Sequence, residues 1–116
     1  MTETIHITVE SQSKARTILR LGGRLDFAAA PQLREEMEQV IAAGSRTLIV
    51  DLSQIAFVDS SGMGALLHGT RQTRQVGGNL VIVDPQNRLG LLLSLTALGQ
   101  VLHVSTSLED ALYGLG

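Results

Sequence analysis

Thr47-Leu48-Ile49-Val50-Asp51-Leu52 is an almost unbroken apolar run bounded by turn residues. A run of this kind suits a strand buried on both faces, as in a sheet covered by helices. Working back from it, Gly44 closes a helix in C-cap fashion. That helix has Pro31 in its first turn and Leu33, Met37, Val40 and Ile41 at helical spacing, with Glu35, Glu36 and Glu38 off the face. Earlier still, Ile5, Ile7 and Val9 alternate with His6, Thr8 and Glu10, which predicts a half-buried strand. The polar residues 11–14 predict a hairpin turn, and Ile18, Leu19 and Leu21 a second strand ending at Gly22-Gly23.

Working forward, Ile55 to Val58 predicts a short apolar link, and a second helix is expected from about Ser61 to Val76, carrying Met63, Leu66 and Leu67. Gly77-Gly78 stops it. Leu80 to Val83 predicts another buried strand, and Asp84-Pro85 a turn. Arg88 to Leu98 is expected to be a leucine-rich third helix with Gly99 as its stop, and Val101 to Val104 a final strand. Ser107 caps a last helix with Leu108, Ala111, Leu112 and Leu115, and Glu109 and Asp110 suit its first turn. Helices alternating with strands after a hairpin predict an α/β fold with a mixed, mostly parallel β-sheet, an N-terminal β-hairpin and about four α-helices. No linker or repeat interrupts the 116 residues, so one domain over 1–116 is expected.

Composition narrows the function. Hydrophobic residues make up 44% and aromatics 3%, so the core is aliphatic. The formal charge of -2 leaves no basic excess for phosphate backbones, and direct nucleic-acid binding is not expected. With no cysteine, disulfides and thiolate metal sites are excluded. No signal-peptide pattern precedes the first strand, and a cytoplasmic protein is expected. Residues 89–108 carry no Asp, Glu, Lys or Arg, but Gly90, Ser94, Thr96, Gly99, Gln100, His103 and Ser105 break the run. It reads as a buried helix, a turn and a buried strand rather than a membrane insertion.

The chemistry gathers in Phe57-Val58-Asp59-Ser60-Ser61-Gly62-Met63-Gly64, where an apolar segment meets a helix start. Ser60 is expected as the N-cap, its hydroxyl accepting from a first-turn amide. Free amides and the positive dipole end make this a place where a phosphoserine does not wreck the fold. Gly62 and Gly64 are expected to leave the surface bare for a partner's backbone. Asp-Ser-Ser-Gly before a helix is usually only a cap and a turn, and the residues by themselves do not establish phosphorylation. Along the second helix, Gly64, His68, Arg71 and Gln75 share a side, which is either a partner face or a solvated one. His6, His68 and His103 lack paired metal spacing, and no metal or cofactor is expected. Val58-Asp59-Ser60-Ser61-Gly62 is not the Gly-x-Ser-x-Gly elbow of a serine hydrolase, so an enzyme is not expected.

The segment 58–64 resembles the Asp-Ser-Ser/Thr-Gly-hydrophobic-Gly signature of bacterial anti-sigma factor antagonists of the STAS family. Gly23-Arg24-Leu25-Asp26 with Ala30-Pro31-Gln32-Leu33 resembles the family's approach to its first helix. Thr47 to Leu52, Gly77-Gly78-Asn79-Leu80, Thr96 to Leu102 and Ser107 to Leu112 are similar to later family segments in order and spacing. Thr96-Ala97-Leu98-Gly99 departs from the family's Ser-Gly or Thr-Gly before the last strand.

The resemblance implies a STAS fold and a partner-switching protein. In such proteins the serine after the Asp, here Ser60, is phosphorylated by the partner anti-sigma factor, a Ser/Thr kinase. The unphosphorylated form binds that kinase and frees the sigma factor, phosphorylation releases it, and a PP2C-type phosphatase resets it. The implied partner-binding residues are Asp26, Asp59, Ser60, Ser61, Gly62, Met63, Gly64, His68 and Arg71, in a monomer or weak dimer. The alternative is a STAS subunit of an ABC-type membrane transport system that grips its ATPase. Such a subunit has no need of Ser60.

Overall fold

A computed structural model of the chain describes residues 5–13 and 15–115; Lys14 of the expected hairpin turn lies outside them, as does the start of the N-terminal stretch scanned for a signal. The elements run β1 (Ile5–Ser11), β2 (Arg16–Leu25), α1 (Ala30–Ala42), β3 (Thr47–Val58), α2 (Ser60–Gln75) and β4 (Asn79–Val83). They continue with α3 (Gly90–Ser94), a 3-10 turn (Ala97–Gln100), β5 (His103–Ser105) and α4 (Leu108–Leu115). The five strands lie in sequence order, β1-β2-β3-β4-β5. β1 pairs antiparallel with β2, and the remaining neighbours are parallel. The mixed, mostly parallel sheet with its N-terminal hairpin and four helices is the architecture expected from the alternation.

The central strand has apolar residues on both faces because both faces are covered. Leu48, Val50 and Leu52 join Leu33, Met37 and Leu66 in the core beneath α1 and α2. Ile49 points the other way, with Ile18, Val81, Val83 and Ala111 under α4. Past α4 that second face turns polar. There Asp51, buried, meets Arg20 at 3.3 Å, and Arg20 reaches Glu10 at 2.9 Å.

Helix α1 stops where expected. Gly44 takes φ +116°, and the amides of Gly44 and Ser45 return to the carbonyls of Ile41 and Val40 at 3.0 and 2.9 Å. Only a residue without Cβ enters that conformation freely. Helix α2 buries two threonines without stranding their hydroxyls. Thr70 Oγ1 donates to the Leu66 carbonyl at 2.9 Å, and Thr73 Oγ1 to that of Gly69 at 3.1 Å.

Four expectations need correction. Ile55 to Val58 is not a link: β3 continues to Val58, pairing with β2 through Leu25, beyond the end of β4. β2 likewise does not stop at Gly22-Gly23 but passes through them with register shifts. The third helix is five residues long, followed by the 3-10 turn, and neither contains a buried residue. Leu91 and Leu95 are 72% and 73% exposed, because α3 lies at the rim of the core and only Leu92, Leu93 and Leu98 turn partly toward it. Leu89 and Leu102, on either side, are the buried leucines of this segment. The last strand starts at His103 rather than Val101. Ser107 does cap α4, accepting from Asp110 N at 3.0 Å. Among the described residues no helix is long and apolar enough to cross a membrane.

Candidate functional site

The site is made by strand register. Leu25 at the end of β2 sits opposite Val58 at the end of β3. The next residues, Asp26 and Asp59, therefore leave two parallel neighbours side by side, at the carboxyl edge where α/β sheets place their ligands. Asp59 ties the two exits together. Its amide donates to the Leu25 carbonyl at 3.2 Å, and its Oδ2 accepts from Phe27 N at 3.1 Å. Its Oδ1 accepts from Gly62 N at 2.9 Å.

Asp59, not Ser60, is thus the N-cap of α2, in extended conformation. A carboxylate accepting backbone amides makes the stronger, charge-assisted bond, and here it satisfies amides on two elements at once. Ser60 is displaced to the first helical position, where its side chain is exposed. Helix α2 begins at Ser60 rather than Ser61. Among the described residues, the amides of Ser60 and Ser61 take no protein acceptor.

The glycines part company. A Cβ on Gly62 would stand 2.3 Å from the Leu25 carbonyl oxygen and 2.7 Å from Leu25 Cγ. Gly62 is buried and lets α2 touch the end of β2, so the reading of it as a bare surface is wrong. Gly64 is half-buried, its nearest neighbour Arg34 Nη2 at 3.6 Å from such a Cβ. Met63 is 2% exposed and part of the core. Ser61 is half-buried beside Ser60.

Asp26 Oδ1 accepts from Ala29 N at 3.1 Å, shaping the approach to α1, and Oδ2 lies 3.7 Å from Arg24 Nε. Farther along α2, His68 Nε2 lies 3.2 Å from Glu38 Oε1 of α1. Arg71 is exposed and makes no ion pair among the described residues. The register and α2 thus bring together Asp26, Asp59, Ser60 and Ser61. Gly62 and Met63 support them from beneath, and His68 and Arg71 stand apart along the helix.

Three neighbours were not read as site residues from the sequence, although Phe57 begins the segment singled out there. Phe27 is 74% exposed on the β2 exit, and Phe57 is half-exposed at the end of β3 with the Arg24 guanidinium 4.5 Å above its ring. They are the chain's two phenylalanines, one directly after Asp26 and one two residues before Asp59. In a chain so poor in aromatics, that placement was a usable signal. Arg88 lines a groove of about 530 Å³ that also borders Phe57, Asp59, Ser60 and Leu91.

Comparison with known proteins agrees with this geometry. The anti-sigma-B factor antagonist of Staphylococcus aureus is 28% identical over 105 residues, 90% of this chain and 96% of its own. The structure of the anti-sigma factor antagonist SpoIIAA in its unphosphorylated form superposes with a TM-score of 0.79 at 25% identity, covering 95% of this chain and 96% of its own. That of the Bacillus cell fate determinant SpoIIAA in the phosphorylated form gives 0.73 at 23% identity, covering 96% and 100%. The STAS domain model matches residues 6–111, nearly the whole chain, and the chain belongs to the STAS domain family.

Proposed function

We propose that this chain is an anti-sigma factor antagonist that works by binding in the cytoplasm, not by catalysis, with Ser60 as its phosphorylation switch. The observation that carries the reading is the exposed Ser60 hydroxyl at the first position of α2, directly after the Asp59 cap and beside Asp26. The full-length likeness to an anti-sigma-B factor antagonist supports it, as does SpoIIAA, known in phosphorylated and unphosphorylated forms.

The partner is an anti-sigma factor that is also a Ser/Thr kinase. It docks on Asp26, Asp59, Ser60, Ser61 and the exposed side of α2 through Gly64, His68 and Arg71. Exposed Phe27 and Phe57 offer rigid apolar anchors at its edge. Gly62 and Met63 serve the interface by holding α2 in place. In the kinase step, Ser60 Oγ takes the γ-phosphoryl group of ATP, gives up its proton and leaves ADP. The product adds about -1.5 to -2 charges beside two carboxylates, which opposes a contact fitted to a neutral hydroxyl. A PP2C-type phosphatase hydrolyses the ester and restores the binding form.

Phosphopeptide analysis of the protein from its own cells, growing and stressed, tests the switch. A fraction of Ser60 phosphate that varies with condition is expected, and its absence under every condition would refute the reading. Ser60→Asp should abolish anti-sigma binding with the fold intact, whereas Ser60→Ala should bind and resist release.

A further inference from the structure

Building on the reading of Ser60 as a phosphosite, we propose that Arg88 of the same chain receives the phosphate and draws the modified side chain into the groove beside α2. Arg88 lies on the link between β4 and α3, and that link is held firmly. Asp84, 5% exposed, accepts from Arg88 N through Oδ1 at 2.8 Å and from Leu89 N through Oδ2 at 2.9 Å. Asn87 takes φ +55°, and its amide donates to the Asp84 carbonyl at 3.2 Å. Arg88 is therefore presented by a preorganised turn.

Its guanidinium is committed only to neutral acceptors. Nε donates to the Ile55 carbonyl at 3.0 Å, and Nη2 to Gln86 Oε1 at 2.8 Å. Among the described residues Arg88 has no carboxylate partner, whereas Arg20 has Glu10 and Asp51 and Arg24 has Asp26. A guanidinium has five N–H donors, so Nη1 keeps a pair for a further acceptor.

Arg88 and Ser60 line one groove, whose other walls include Phe57, Leu91 and Leu92. Arg88 is the cation in that lining and Asp59 the acid. Asp59 has both oxygens engaged, by Gly62 N and Phe27 N, and nearby Asp26 turns to Arg24. A phosphate on Ser60 would bring a dianion to a groove whose exposed guanidinium has no carboxylate partner among the described residues. Guanidinium and phosphate oxygens match as a two-bond fork. The phosphoserine would then lie over Phe57 and Leu91 and close the groove. The two states would differ in surface shape as well as in charge.

The test uses the full chain with phosphoserine installed at position 60 during translation. Phosphorus NMR follows the second phosphate ionisation with pH, in the wild type and in Arg88→Gln. The wild-type value should lie below the ordinary value of about 6, and Arg88→Gln should raise it by about half a unit, roughly a threefold change in proton affinity. Arg88→Lys should recover part of the difference. The same value in the wild type and in folded Arg88→Gln would overturn the proposal. Should Arg88→Gln fail to fold for want of the Ile55 bond, the Arg88 side-chain nitrogen signals of the wild type decide. They should shift and exchange more slowly on phosphorylation, and unmoved signals would overturn the proposal. None of this needs the kinase: no phosphate in cells would defeat the switch and leave the Arg88 result standing.

Discussion

Gly62→Ala is the sharpest probe of how the site is held. The new Cβ would lie 2.3 Å from the Leu25 carbonyl oxygen, where ordinary contact begins at 3.4 Å. The obstacle is backbone, so it cannot rotate away, and α2 must move by about 1 Å against a close-packed core. Overpacking of this kind costs about 1–3 kcal/mol. The displacement also stretches the 3.2 Å bond from Asp59 N to the Leu25 carbonyl, worth about 1 kcal/mol. Alanine's better helix propensity returns about 1 kcal/mol. The net expectation is a loss of about 2 kcal/mol, or roughly 10 °C in Tm for a chain of this size. Urea unfolding followed by circular dichroism measures it, with Gly64→Ala alongside. At Gly64 the nearest neighbour is the movable end of Arg34, so alanine there should stabilise by about 0.5–1 kcal/mol. If Gly62→Ala is as stable as the wild type, or if both variants lose equally, the close approach of α2 to β2 is not what requires glycine.

Asp59→Ala removes the acceptor of two backbone amides and should cost about 1–2 kcal/mol in urea unfolding, with faster hydrogen exchange at Gly62 and Phe27. Asp84→Ala leaves the buried amide of Leu89 and the half-buried amide of Arg88 without their acceptor; a loss of about 1–3 kcal/mol is expected, and a loss under about 0.5 kcal/mol would contradict the role given to its carboxylate. Leu91→Ser with Leu95→Ser should leave thermal stability within about 0.5 kcal/mol, because neither side chain is in the core. A large loss would restore the buried-helix reading of this segment.

The order of elements was legible because hydrophobic period survives folding. Thr47 to Leu52 reads correctly since each face of β3 meets a helix layer. Its continuation to Val58 was not legible: Gln54, Ala56 and Phe57 are exposed, and pairing with β2 alone leaves no two-faced apolar signature. The leucines of residues 89–98 misled for the opposite reason. Composition reports how apolar a segment is, not whether the core has room for it, and the turn built on Asp84 sets α3 at the rim. Within Asp59-Ser60 two good N-cap residues stand in tandem, and propensity does not separate them. The choice is made by Phe27 N, a donor 32 residues away. Gly62 and Gly64 look alike in the sequence for the same reason: the Leu25 carbonyl that tells them apart comes from another strand.

One regularity joins the local and distant parts of the site. Three successive parallel strands end in an apolar residue followed by Asp: Leu25-Asp26, Val58-Asp59 and Val83-Asp84. Each carboxylate folds back onto amides of the chain that follows, Ala29 for Asp26, Gly62 for Asp59, and Arg88 with Leu89 for Asp84. These bonds hold the strand exits in shape before any partner arrives, so a switch built here need not refold anything. The tight seat of Gly62 on Leu25 fixes where α2, and with it Ser60, begins. The arrangement also dictates how the acids are tested as partner contacts. Alanine at Asp26 or Asp59 loosens the rim and lowers affinity whether or not the carboxylate touches the partner. At Asp26, where one oxygen serves an amide, asparagine keeps that oxygen and removes the charge; at Asp59, where both oxygens accept amides, it would set its NH2 donor against one of them. A binding loss in Asp26→Asn, with Ala29 amide exchange unchanged, would therefore report the charge itself, and unchanged binding would confine Asp26 to holding the frame.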